Sequence, residues 1–180
     1  MDRTPPLPAA PLVTLPNAIS LSRVGLALGF ALSDGAPVRL ALIAAASITD
    51  VMDGWLARRQ RVASRFGALL DPVADRLFML SVIVTYVAGG LLAPWEGVAL
   101  FFRDVMSVVG WFVARSVSWL RPIAFRARPL GKAVTVGQLV AVVAALVTPQ
   151  WLHPLVLAVG TLGVVATADY TLMLWRERMR

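Results

Sequence analysis

Four aspartates, Asp50, Asp53, Asp71 and Asp75, fall close together in a chain that has only ten acidic side chains. Asp50 and Asp53 are three apart, and Gly54, Ala57 and Arg58 continue the same face of a helix at i+4, i+7 and i+8. Asp71 and Asp75 are four apart, again one helical turn. Two pairs of carboxylates aimed across a helix hairpin repel unless something positive lies between them. A cluster with oxygen donors and neither His nor Cys suits a hard cation, Mg²⁺ or Mn²⁺, more than zinc. Magnesium held by few carboxylates completes its shell with water and substrate phosphate oxygens. Gly54, Ala57 and Gly67 leave open space beside the acids, and the Arg58 guanidinium matches phosphate geometry. These residue types together make a site for a diphosphate. The absence of a Walker-type glycine loop and of a kinase signature argues against ATP.

The surroundings of that charge are oily. The 180 residues are 58% hydrophobic and 15% charged, with mean hydropathy +0.75. A soluble domain of this length could not hide so much apolar surface, so lipid is the solvent for most of the chain. Six apolar segments stand out: Asn17–Ser33, Pro37–Leu56, Pro72–Leu92, Trp95–Leu120, Gly131–Val147 and Trp151–Trp175. Each suffices to cross a hydrocarbon core of about 30 Å at about 1.5 Å per residue. None alternates with period 2, which leaves helices as the spanning element. The expectation is an all-α membrane protein, a single domain over residues 1–180 built as a six-transmembrane-helix bundle. Gly25 and Gly29 in "GLALG" offer one place for close helix approach.

Basic residues set the orientation. The connection after the second segment carries Arg58, Arg59, Arg61 and Arg65. The one after the fourth carries Arg121, Arg126, Arg128 and Lys132, and the chain closes on "RERMR". "GGLLAPWEG" and "TPQWLHP" have no Lys or Arg. The positive-inside rule then puts both termini and both Arg-rich connections in the cytoplasm, and the four aspartates near that face of the inner (cell) membrane. The net charge of +7 fits such loops better than nucleic acid, which is not an expected partner. No signal peptide is evident, and without cysteine there is neither a disulfide nor a thiolate metal site. His153 falls on the opposite side and is a poor catalytic candidate.

The aspartates also allow a plainer reading, a salt-bridge belt with Arg58, Arg65 and Arg76. Intramembrane acids cost about 2.5–3.5 kcal/mol each on insertion scales, so some compensation is required. A belt does not explain why small residues share the acidic face. A cation transporter is the alternative of a different class, but it would place its charges near mid-membrane on broken helices.

Asp50-x2-Asp53-Gly54-x2-Ala57-Arg58-x8-Gly67-x3-Asp71-x3-Asp75 resembles, at all eight fixed positions, the signature of the CDP-alcohol phosphatidyltransferase family. "LPNAISLSRVGLA", "FFRDVM" and "GKAVTVGQ" are similar to other segments of that family, so the likeness runs from about 15 to 140. Arg76 departs from the Lys that many members have after the last Asp, keeping the charge. The resemblance implies transfer of a phosphatidyl group from CDP-diacylglycerol to an alcohol acceptor, releasing CMP, in phospholipid biosynthesis. It further implies two divalent ions, Mg²⁺ or Mn²⁺, held by Asp50, Asp53, Asp71 and Asp75. Asp75 would also act as general base. Asp50, Gly54, Ala57, Arg58 and Gly67 would shape the CDP and diphosphate pocket. A homodimer in the lipid bilayer is implied as well.

The acceptor is less determined. Arg126, Arg128, Lys132 and Thr135 could grip an anionic acceptor, glycerol 3-phosphate first, or phosphatidylglycerol as in a cardiolipin synthase; equally, these cations could serve topology and anionic lipid. Arg103 lies too deep in its segment to be a topology charge, and neighbouring Asp104 is about 100° away round a helix. The two are expected to find separate structural partners, Asp169 for Arg103.

Overall fold

In the computed structural model, residues 15–60, 67–116 and 129–178 are described. Six α-helices account for nearly all of them: α1 (Leu15–Leu32), α2 (Ala36–Gln60), α3 (Gly67–Ala88), α4 (Pro94–Ser116), α5 (Pro129–Val147) and α6 (Leu152–Arg178). A single 3-10 turn, Pro149–Trp151, joins the last two, and no strand occurs among the described residues.

Proline marks the starts. Pro16, Pro37, Pro94, Pro129 and Pro154 all stand in the first turn of their helices, where the missing N–H costs nothing. The exception is α3. Its start was expected at Pro72, but the helix begins five residues earlier at Gly67 and carries Pro72 inside it. Asp71 and Asp75 therefore both lie within one continuous helix. At its other end α3 closes on Gly90 at φ 73°, the left-handed position that favours glycine. The Leu91 N–H donates to the Tyr86 carbonyl at 2.9 Å and the Gly90 N–H to the Val87 carbonyl at 3.1 Å, which satisfies two of the last-turn acceptors. At the start of α4, the Glu96 carboxylate accepts from the Ala93 N–H at 2.9 Å, half of a capping box.

The chain divides into two compact units, Met1–Val82 and Ile83–Arg180. In the first, α1 buries Ser20, Arg23, Ala27 and Phe30, a stripe at helical spacing. Phe30 meets Phe78 of α3 edge to face at 6.2 Å between centroids, and Ser81 donates to the Ala27 carbonyl at 2.9 Å. Arg39 donates to the Ser33 carbonyl at 2.9 Å and lies over the Phe30 ring, closing the α1–α2 turn. In the second unit, α6 packs against both α4 and α5. The seams are made by glycine: a Cβ at Gly137 would stand 2.8 Å from Val159, and one at Gly160 would stand 3.2 Å from Ala99. The expected "GLALG" approach is weaker. Gly29 touches Leu42 at ordinary distance, and Gly25 faces open space among the described residues.

Among the described residues, two stretches are long and apolar enough to cross a membrane, Pro129–Val147 and Pro149–Met173, and the apolar part of α1, Ala18–Leu32, is shorter. The others are long enough but carry charge: Asp50 and Asp53 on α2, Asp71, Asp75 and Arg76 on α3, Glu96, Arg103 and Asp104 on α4. Apolar helices of this kind indicate membrane association.

Candidate acidic site and a second polar network

In the first unit, the acidic site takes its described residues from three helices. Asp50 comes from α2, Asp75 from α3, and Arg23 from α1 stands between them. Its Nη1 is 3.4 Å from Asp50 Oδ1 and 3.5 Å from Asp75 Oδ1. The arginine side chain is wholly buried, whereas Asp50 and Asp75 remain 55% and 49% exposed. Carboxylates from two helices thus converge on one cationic nitrogen while keeping open surface.

In the salt-bridge belt that the sequence also allowed, the partners of the acids would be Arg58, Arg65 and Arg76. Arg76 donates to the Pro72 carbonyl at 3.2 Å, one turn back on its own helix. Arg23 went unnoticed in the sequence. Its signal was present: a lone charge in an otherwise apolar helix is costly and calls for a partner.

α2 runs unbroken through 50–58 and α3 through 67–75, so the helical spacing on which the eight-residue pattern depends holds. The side chains at Asp53, Gly54, Ala57, Arg58, Gly67 and Asp71 lie outside the described part, as do Arg65, Arg126 and Arg128 altogether. Among the described residues, no three acidic or histidine side chains gather as a metal site. The described donors, Asp50 and Asp75, offer carboxylate oxygens only, drawn together around a cation. That chemistry fits a hard divalent ion.

The second unit holds a separate polar network. Gln138, buried on α5, donates to the Leu100 carbonyl at 2.7 Å and to Asp104 Oδ2 at 2.6 Å. Arg103 approaches Asp104 Oδ1 at 3.4 Å and donates to Thr135 Oγ1 at 3.2 Å. Each of the two has a separate partner, Gln138 for Asp104 and Thr135 for Arg103, but they also meet each other, which the 100° offset had argued against. Adjacent residues point apart at Cβ, but the long arginine side chain curls back far enough to meet its neighbour. Gly131 makes the space, since a Cβ there would fall 2.7 Å from Arg103 Nη2. Asp169 is half-buried on α6, and Lys132 and Thr135 are exposed on the first turns of α5. His153 is exposed and meets the buried Glu96 carboxylate, tying α6 to the start of α4.

A family profile described as CDP-alcohol phosphatidyltransferase matches residues 13–167. A Drosophila melanogaster protein named "Probable cardiolipin synthase (CMP-forming)" is 37% identical over 118 residues, covering 63% of this chain and 37% of its own. An Arabidopsis thaliana protein named "CDP-diacylglycerol--glycerol-3-phosphate 3-phosphatidyltransferase 2" is 31% identical over 148 residues, covering 72% and 63%. A Streptomyces coelicolor protein named "Cardiolipin synthase (CMP-forming)" is 34% identical over 135 residues, covering 69% and 60%. The chain spans less than two thirds of the length of each of these three relatives.

Proposed function

The chain belongs to the CDP-alcohol phosphatidyltransferase family, and from that premise we propose that it transfers a phosphatidyl group from CDP-diacylglycerol to an alcohol, releasing CMP. The carrying observation is the match over residues 13–167, which takes in the whole pattern from Asp50 to Asp75. Asp50, Asp53, Asp71 and Asp75 would hold Mg²⁺ or Mn²⁺, two ions in all. When bound, such ions neutralise the phosphate oxygens that carry the leaving group.

The chain's own residues have distinct parts. Arg58 binds the diphosphate, and Gly54, Ala57 and Gly67 leave room for the nucleotide, with Asp50 bordering it. Asp75 accepts the proton of the acceptor hydroxyl. The acceptor oxygen then forms its bond to the lipid-side phosphorus, and the bond from that phosphorus to the oxygen of CMP breaks. Half-exposed Asp75 is reachable by an incoming hydroxyl, which suits a general base.

Glycerol 3-phosphate is the acceptor we favour, with Lys132, Thr135, Arg126 and Arg128 as its candidate binders. The second reading is phosphatidylglycerol as acceptor, favoured by the two relatives named as cardiolipin synthases. The membrane arrangement proposed is one domain crossing six times, both termini cytoplasmic, in a homodimer of the inner membrane with its site at the cytoplasmic face. Exposed Leu28, Leu32, Val51, Val98 and Phe112 support lipid contact along helices that carry charge elsewhere.

The test is CMP release from CDP-diacylglycerol by the purified chain with Mn²⁺, offering glycerol 3-phosphate, phosphatidylglycerol, inositol phosphate or serine singly. Glycerol 3-phosphate should give the fastest release. Serine as sole productive acceptor would overturn the acceptor and spare the reaction, whereas no CMP with any acceptor would favour cation transport.

A further inference from the structure

We propose that Arg23 is a built-in counter-ion of the acidic site, a positioning residue that holds Asp50 and Asp75 together and loosens the site's grip on divalent metal. The inference rests on the reading of these acids as metal ligands. Arg23 is fully buried on α1, while Leu21 and Leu28 of the same helix are exposed. A buried guanidinium is tolerated only where charge and hydrogen bonds compensate its desolvation. Compensation comes from two helices at one point, because the same Nη1 stands 3.4 Å from Asp50 and 3.5 Å from Asp75. Both carboxylates keep about half their surface open. The arginine therefore backs the acids from the buried side and leaves their open side to ligands.

The sign of its effect follows from linkage. Without metal, Arg23 faces two negative groups and attracts both. A divalent ion on those carboxylates cancels the charge that Arg23 was attracted to and adds a cation that repels it. Arg23 thus favours the metal-free site over the loaded one, and reciprocity requires that it weaken metal binding by the same factor. A purely structural tie between α1 and the other two helices makes a different prediction. Its loss would loosen the site and leave metal affinity unchanged or lower.

The full chain, purified in detergent and stripped with EDTA, would be titrated calorimetrically with Mn²⁺ alone. Arg23→Gln should bind Mn²⁺ more tightly, by roughly 5-fold or more, within the usual range of site–site coupling. Arg23→Lys keeps the charge and should stay near the unaltered chain. Equal or weaker Mn²⁺ binding by Arg23→Gln overturns the proposal. Should Arg23→Gln not fold, the double variant Arg23→Gln/Asp75→Asn decides. Relieving the excess negative charge restores a folded chain if Arg23 is a counter-ion, and failure of that rescue overturns it. Asp50→Ala keeps the two readings apart: if it binds Mn²⁺ as the unaltered chain does, the metal assignment itself falls.

Discussion

Asp75 is asked to do two things, to face metal and to take a proton, and substitution can separate them. It lies one helical turn after Asp71 on α3, half-exposed, with Arg23 at its back. Asp75→Asn keeps size and polarity but removes the basic lone pair. Turnover should fall by about 10²–10⁴, while CDP-diacylglycerol binding changes less. Arg58→Ala should do the reverse and weaken nucleotide-lipid binding first, because a planar guanidinium is the better match to a diphosphate. Measuring affinity and turnover for both variants checks the division of labour. If Asp75→Asn loses binding as fully as Asp50→Ala, Asp75 is mainly a ligand and the base lies elsewhere. At this scale the sequence was legible where spacing carries the information. The i+3 and i+4 patterns place the acids on one face within each helix, and Asp50 and Asp75 both lie beside Arg23. Arg23 escaped because its partners are 27 and 52 positions away, and no local pattern points across that distance.

Helices were legible for a different reason. Runs of apolar residues bounded by proline define five of the six starts to within two residues, since proline is cheap only in a first turn. The same rule misplaced the start of α3, because Pro72 there is carried inside the helix. The contacts between helices were not legible. Glycine pairs were sought in "GLALG", yet the tight seam in the second unit falls at Gly137 and Gly160. A contrast between two glycines tests the seam. At Gly137 a Cβ meets the γ-carbon of Val159 at 2.8 Å, and a β-branched side chain has little freedom to yield. Gly137→Ala should therefore destabilise, by about 1–3 kcal/mol as overpacking does. Gly110, inside α4, has nothing within 4 Å of its Cβ position. Gly110→Ala should be neutral or stabilising by up to about 1 kcal/mol, the helix-propensity difference. Thermal midpoints in one detergent check both, and a Gly137→Ala chain as stable as the unaltered one would remove the seam.

At the scale of the whole molecule, composition and charge asymmetry supply what no single contact does. Among the described residues, two stretches meet a strict criterion of length and apolarity, and the helices that carry the acidic pattern also carry its charge. A helix that holds aspartates is less hydropathic for them, so the proposed six crossings would exceed what a hydropathy count returns. The positive-inside rule is independent of that count and makes its own prediction. The chain has no cysteine, so each introduced thiol is a clean reporter. Gln60 ends α2 among the Arg-rich residues, and Gln150 is exposed in the 3-10 turn before α6, in a stretch without Lys or Arg. The glycine turn after α3 is a poorer choice of reporter, since Gly90 holds a φ that a cysteine there would strain. In intact cells, Gln150→Cys should react with an impermeant thiol reagent, and Gln60→Cys should react only after the membrane is opened. The reverse pattern would turn the molecule over. Asp50 and Asp53 sit on the same helix as Gln60, within its last three turns. Labelling of Gln60→Cys from outside would therefore carry the acidic site away from the cytoplasmic face, and the proposed use of a cytoplasmic CDP-lipid would fall with it.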